Sequence, residues 1–201
     1  MIKIYPNKVL ENMYVKSKKK IIKKILIFIC IVLILFVTLL CLLKNILYPL
    51  AYFDIVEKEA AKNNIDPYLV LAVIKTESNF KKYAVSNKSA KGLMQIMDST
   101  AQDIKNKMNE EIDANDIYNE HVNISLGCKY FSTLINKYNG NYYLAICAYN
   151  AGMGNVDKWI EEGIISNSLS EYKNVNIPFS QTKDYLYKVI NSYKIYRILY
   201  E

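Results

Sequence analysis

Glu77 is the residue whose surroundings best suit chemistry. The run Tyr68-Leu69-Val70-Leu71-Ala72-Val73-Ile74 is apolar all round and leads into Lys75-Thr76-Glu77-Ser78-Asn79-Phe80. On a helix, Glu77 stands at i+3 from Ile74, i+4 from Val73 and i+7 from Val70, so it prolongs the apolar stripe. It also falls at the helix C-terminus, where the macrodipole disfavours a negative charge. Desolvation and the dipole both raise a carboxyl pKa, which suits a general acid working near neutral pH. A frayed, solvated glutamate at a helix end is the competing reading, and position alone favours it. Other groups offer less. His121 is the single histidine and has no Cys, His or Asp at ligand spacing, so no metal site is expected. Gly152-x-Gly154 follows no strand pattern and lacks a third glycine, so no dinucleotide cofactor is expected either.

Two further segments change the odds for Glu77. Gly92-Leu93-Met94-Gln95-Ile96-Met97 is a compact run before a helix start at Asp98-Ser99-Thr100. Ala148-Tyr149-Asn150-Ala151-Gly152-Met153-Gly154 ends a helix in small, flexible residues. Taken in order with Glu77-Ser78-x-Phe80, these runs resemble the successive motifs of lytic transglycosylases of the soluble type. Those are lysozyme-like, all-α enzymes that cut the glycan strand of peptidoglycan. The spacing agrees, with Gln95 18 residues and Met97 20 residues beyond Glu77. A fourth stretch, Phe179-Ser180-Gln181-Thr182-Lys183-Asp184-Tyr185, resembles the family's last motif, with Gln181 where Glu is usual. Asp98 stands where the family commonly has Pro, and Asp serves there as an N-cap. The resemblance spans about residues 50–200.

The resemblance implies a role for each matching position. Glu77 would be the catalytic acid and then base, and Ser86 would lie near the sugar at the scissile bond. Gln95 and Met97 would line the glycan groove, with Met97 as its apolar floor. Tyr149 would hydrogen-bond near the carboxylate, and Asn150 would hold the adjoining loop. Gln181 would keep an acceptor where the family has a charge. The implied reaction breaks the MurNAc–GlcNAc β-1,4 bond and leaves a 1,6-anhydro-MurNAc end. Two alternatives stay open: a hydrolytic lysozyme on the same scaffold, and a catalytically silent glycan-binding envelope scaffold. Asp54, Glu57, Glu59, Asp103, Glu110 and Glu111 match no motif and read as solvated helix faces. Tyr185, Tyr193, Tyr196 and Tyr200 recur at helix-like spacings and read as packing residues.

The elements that position these residues are helical. Asp66-Pro67 supplies an N-cap and a proline at the first helical position. Other helices fit residues 51–62, 99–108, 121–138, 142–149 and 183–200, with a turn at Asn139-Gly140-Asn141 and a long polar loop over 163–178. The expected class is therefore all-α, a lysozyme-like domain over residues 44–201. Cys128 and Cys147 read as buried free thiols in apolar stretches, and Asn123-Ile124-Ser125 is a sequon of consequence only in a glycosylating host.

Ahead of that domain lies a different kind of segment. Residues 25–43 are uncharged and apolar, and at 1.5 Å per residue they span about 28 Å, close to a bilayer's hydrocarbon core. No small-residue cleavage site follows, so a signal-anchor is expected rather than a cleaved signal peptide. The 201-residue chain carries a net charge of +7, and residues 1–24 hold all of it in eight lysines against Glu11. By the positive-inside rule this basic tail is cytoplasmic and the C-terminal domain lies outside the cell membrane. The remaining 177 residues balance 18 basic against 18 acidic groups, so no nucleic-acid partner is expected. Peptidoglycan, implied by the resemblance, and the membrane are the expected partners. With 52% hydrophobic residues, the chain is not disordered.

Overall fold

A computed structural model describes residues 8–106, 108, 116–170, 172 and 175–201. The chain divides into two compact units, Met1–Pro49 and Leu50–Glu201. The first is one helix, α1 (Lys8–Leu47). Its stretch Glu11–Leu47 is long and apolar enough to cross a membrane by length and composition. The lysine-rich segment and the apolar run thus form one continuous helix, although only the latter has the character of a lipid-facing span.

The second unit is built, among the described residues, from seven helices and no strand: α2 (Phe53–Lys62), α3 (Pro67–Ser78), α4 (Asp98–Lys105), α5 (Glu120–Lys137), α6 (Tyr142–Ala151), α7 (Met153–Glu161) and α8 (Ser180–Tyr200). α3 is the central rod. Its residues Val70, Leu71, Ala72, Val73 and Ile74 are wholly buried, which is why its sequence shows no polar face. It begins where Asp66 Oδ1 accepts from the Tyr68 N–H at 2.8 Å, with Pro67 at the first helical position. The other Asp66 oxygen accepts from the Tyr193 hydroxyl at 2.6 Å and so ties the start of α3 to α8. The helix ends at Asn79, in the left-handed conformation at φ 48°. α6 buries Leu144, Ala145, Ile146, Cys147 and Ala148 against the same core.

Several local expectations need correction. Asp98 is the first helical residue of α4, not its N-cap, and Met97 holds the cap position without a side-chain hydrogen bond. Asp98 is engaged by Lys91, whose Nζ lies 2.7 Å from Oδ2. Glu59 is not solvated but 1% exposed. It sits at i+3 from buried Val56 on the inner stripe of α2, where Ser125 Oγ donates to it at 2.9 Å and Lys62 approaches to 3.2 Å. Asp54, Glu57 and Asp103 are exposed, while Glu110 and Glu111 lie outside the described residues. The stretch 163–178 is without helix among its described residues, yet it buries Ile165, Leu169, Tyr172, Val175 and Ile177. Cys128 and Cys147 are free and buried, and burial pushes the Cys147 thiol up to about 12.

Candidate active site

Glu77 occupies the last turn of α3, where the apolar rod reaches the surface. Its carboxyl is part-buried, and Tyr185 in α8 donates its hydroxyl to Glu77 Oε1 at 2.6 Å. Burial pushes the Glu77 pKa up to about 7, while the Tyr185 hydrogen bond acts in the opposite sense. Among the described residues, no second carboxylate contributes to the shift. Burial and the nearby Glu77 charge push the Tyr185 hydroxyl well above its ordinary range, and the same two causes act on Tyr149. Both phenols therefore stay protonated donors wherever Glu77 titrates. The Tyr185 ring is 7% exposed and packs as its spacing suggests, while its hydroxyl has a second job that spacing alone does not reveal.

The Gly92–Met97 run wraps into a tight loop. Lys91 and Ile96 exchange backbone hydrogen bonds at 3.0 Å each, and the Gly92 N–H donates to the Ala84 carbonyl at 2.9 Å. Gln95 adopts φ 50°, a left-handed conformation rare outside glycine. Its Nε2 donates to the carbonyls of Ala84 at 3.1 Å and Gly92 at 3.0 Å, so the side chain is folded back onto its own loop. Met97, at 45% exposure, presents an apolar surface beside it. Tyr149 reaches this loop rather than the carboxylate itself: its hydroxyl donates to the Met94 carbonyl at 2.8 Å. Its ring meets Phe131 edge-on at a centroid distance of 5.7 Å.

The remaining candidates are placed as follows. Asn150, at the end of α6, accepts from Thr182 Oγ1 at 2.8 Å and so joins that helix end to the first turn of α8. Gln181 is exposed in the same turn. Ser86 is exposed and closes its own turn, accepting from the backbone N–H groups of Lys88 at 3.2 Å and Ala90 at 3.1 Å. Glu77, Tyr185 and Tyr149 thus lie together, with the Gln95 loop latched to them through Met94. Among the described residues, no group of three or more His, Cys, Asp or Glu side chains lies together to hold a metal.

The Transglycosylase SLT domain family matches residues 54–168, a span that contains Glu77, the Gly92–Met97 loop and the Tyr149–Gly154 run. The chain belongs to this family. Membrane-bound lytic murein transglycosylase C of Edwardsiella ictaluri is 34% identical over 167 residues, which cover 73% of this chain and 46% of that protein. The protein of the same name from Serratia proteamaculans is 32% identical, with the same two coverages. The chain thus spans just under half the length of these relatives. Among solved structures, lytic transglycosylase Slt of Pseudomonas aeruginosa superimposes with a TM-score of 0.66 at 30% identity, covering 76% of this chain and 25% of that one. The 70-kDa soluble lytic transglycosylase of Escherichia coli gives a TM-score of 0.68 at 27% identity, with the same coverages. The SLT domain's helices are accordingly those of the lysozyme-like fold.

Two residues that touch the candidate site residues or their loop are not singled out by the sequence. Tyr185 lies inside the fourth motif-like stretch, four residues beyond Gln181, and that placement is the available signal. Asn123 reads as a sequon, but it is 1% exposed and its carboxamide is fully engaged, so it is no glycan acceptor.

Proposed function

We propose that the chain is a membrane-anchored peptidoglycan lytic transglycosylase in which Glu77 is the single acid and base. One observation carries the reading: a carboxyl held near pKa 7 by burial, gripped by a phenol, beside a preformed loop. A group titrating there is available both to give and to take a proton at neutral pH. The Pseudomonas aeruginosa Slt structure is of an inactive mutant with glutamine in place of one glutamate, which supports a reading in which a single glutamate is essential.

The reaction then runs in two proton transfers. Glu77 protonates the bridging oxygen between MurNAc and GlcNAc, and the C1–O bond breaks toward that oxygen. The N-acetyl oxygen of the same MurNAc supports the positive charge at C1, the service that a second carboxylate performs in ordinary retaining enzymes. Glu77, now a carboxylate with Tyr185 hydrogen-bonded to it, takes the proton of the MurNAc C6 hydroxyl. O6 bonds to C1, closing the 1,6-anhydro ring and restoring the acid, with no water consumed. Gln95 Oε1 and the Met97 surface hold the strand, while Ser86, Asn150 and Gln181 border the groove. α1 keeps the enzyme in the membrane, with its lysine-rich end cytoplasmic and the SLT domain facing the wall. Replacing Glu77 by Gln keeps the shape and removes the acid. Cleavage of purified peptidoglycan should fall by about 10²–10⁴-fold, and near-normal turnover would end the proposal.

A further inference from the structure

Met94 is gripped from two helices. Its N–H donates to Asn123 Oδ1 in α5 at 2.7 Å, and its carbonyl accepts from Tyr149 in α6 at 2.8 Å. The Asn123 carboxamide is fully used: Nδ2 donates to the Lys91 carbonyl at 3.0 Å and to the Ile117 carbonyl at 2.9 Å. One buried side chain therefore fixes the entrance of the loop at Lys91, its apex at Met94 and the approach to α5 at Ile117. The packing around it is equally specific. A Cβ on Gly92 would overlap the Asn123 carboxamide, and a Cβ on Gly127, one turn further along α5, would overlap the Met94 side chain. Glycines at these two places let the loop lie directly on the helix.

The loop needs such a clamp because the residue after Met94 is strained. Gln95 is a non-glycine residue at φ 50°, a conformation that persists only where its surroundings over-determine it. Tyr149 alone holds one side of the Met94 backbone. Without Asn123 the Met94 N–H and the Ile117 carbonyl lose this partner, and the Lys91 carbonyl keeps only the Ile96 N–H. Less of the loop's surroundings then opposes relaxation of Gln95 toward negative φ. That relaxation would carry Gln95 Oε1 and Met97 away from the groove while leaving Glu77 and Tyr185, which sit on α3 and α8, in place.

We propose that Asn123 is a positioning residue for glycan binding, acting through the Gly92–Met97 loop and not on the acid. The inference rests on the glycan-cleaving reading above. Loss of contacts made equally to substrate and transition state raises KM and leaves kcat alone. In the detergent-solubilised full chain, Asn123→Ala should raise KM for soluble glycan strands about tenfold, with kcat within about twofold. In a Glu77→Gln background, the dissociation constant for the same strands should rise by the same factor. The alkaline limb of the pH profile should not move. Trp159 fluorescence establishes that the variant is folded, since this residue is 4% exposed in α7. A folded variant with unchanged KM overturns the proposal, as does a fall in kcat at constant KM. Should Asn123→Ala fail to fold, Asn123→Asp carries the test under the same criteria. It keeps the volume and the Met94 acceptor while losing both donors. A wild-type chain that neither binds nor cleaves the strands would sink the glycan-cleaving reading itself, and this inference with it.

Discussion

Replacing Glu77 by Gln should stabilise the folded protein, and only at the alkaline end of the pH range. Burial holds the carboxyl at about 7 in the native state against an ordinary value of 4.5. The native state therefore binds the proton more tightly than the unfolded chain. The stability this contributes is fully present below about pH 4.5 and is lost as the pH rises through 7. At about 1.4 kcal/mol per pKa unit, the difference amounts to about 3–4 kcal/mol once the carboxyl is ionised in both states. The substituted glutamine does not titrate, yet its Oε1 can still accept from Tyr185, so the hydrogen bond is kept while the buried charge is removed. Urea unfolding of the detergent-solubilised chain, followed through Trp159 at pH 4, 6, 7 and 8.5, measures both proteins against one reporter. The stability difference should move in favour of the variant by about 3–4 kcal/mol between the first and last pH. A difference that stays constant over that range, or moves the other way, would refute the claim that the folded protein desolvates Glu77.

Other variants test neighbouring parts of the site and fold. Tyr185→Phe removes a hydrogen bond that lowers the Glu77 pKa, so the alkaline limb of the kcat/KM profile should move to higher pH. A shift to lower pH would mean that Tyr185 does not stabilise the carboxylate. Asp66→Ala removes the acceptor for the Tyr68 N–H and the partner of the Tyr193 hydroxyl. It should cost about 1–2 kcal/mol by urea unfolding, and an unchanged midpoint would show that this cap does not hold the start of α3.

The parts of the fold that can be read from sequence are those whose signals are local. α3 announces itself by Asp66-Pro67 and by an apolar run too long for any exposed surface, and the motif order then places Glu77 at its end. α7 is hidden in the sequence because its inward face is carried by just two buried side chains, Val156 and Trp159. Glu59 misleads because charge suggests solvent, whereas its place on the stripe after Val56 and a serine on a distant helix decide its burial. Residue type suggests a capping role for Asp98, but a lysine seven residues earlier claims it. The Tyr185–Glu77 contact joins residues 108 positions apart. Helical spacing explains the buried ring but carries no information about which carboxylate the hydroxyl will meet. Asn123 shows the same limit, since two of its three side-chain partners, Met94 and Lys91, belong to a loop that only the tertiary fold brings beside α5.

The products of digestion test most directly whether this site runs on one carboxyl. The detergent-solubilised chain is incubated with purified peptidoglycan, and the released muropeptides are analysed by mass spectrometry before any chemical reduction. Among the described residues, Glu77 shows no influence from a second carboxylate. On the proposed reading, the activated water or covalent intermediate of two-carboxylate enzymes has no partner acid among the described residues, and the MurNAc C6 hydroxyl is the nucleophile at hand. Fragments should end in 1,6-anhydro-MurNAc, each lighter than the corresponding reducing-end fragment by one water. Mainly reducing-end fragments would contradict the single-carboxyl transglycosylase and make the chain a lysozyme.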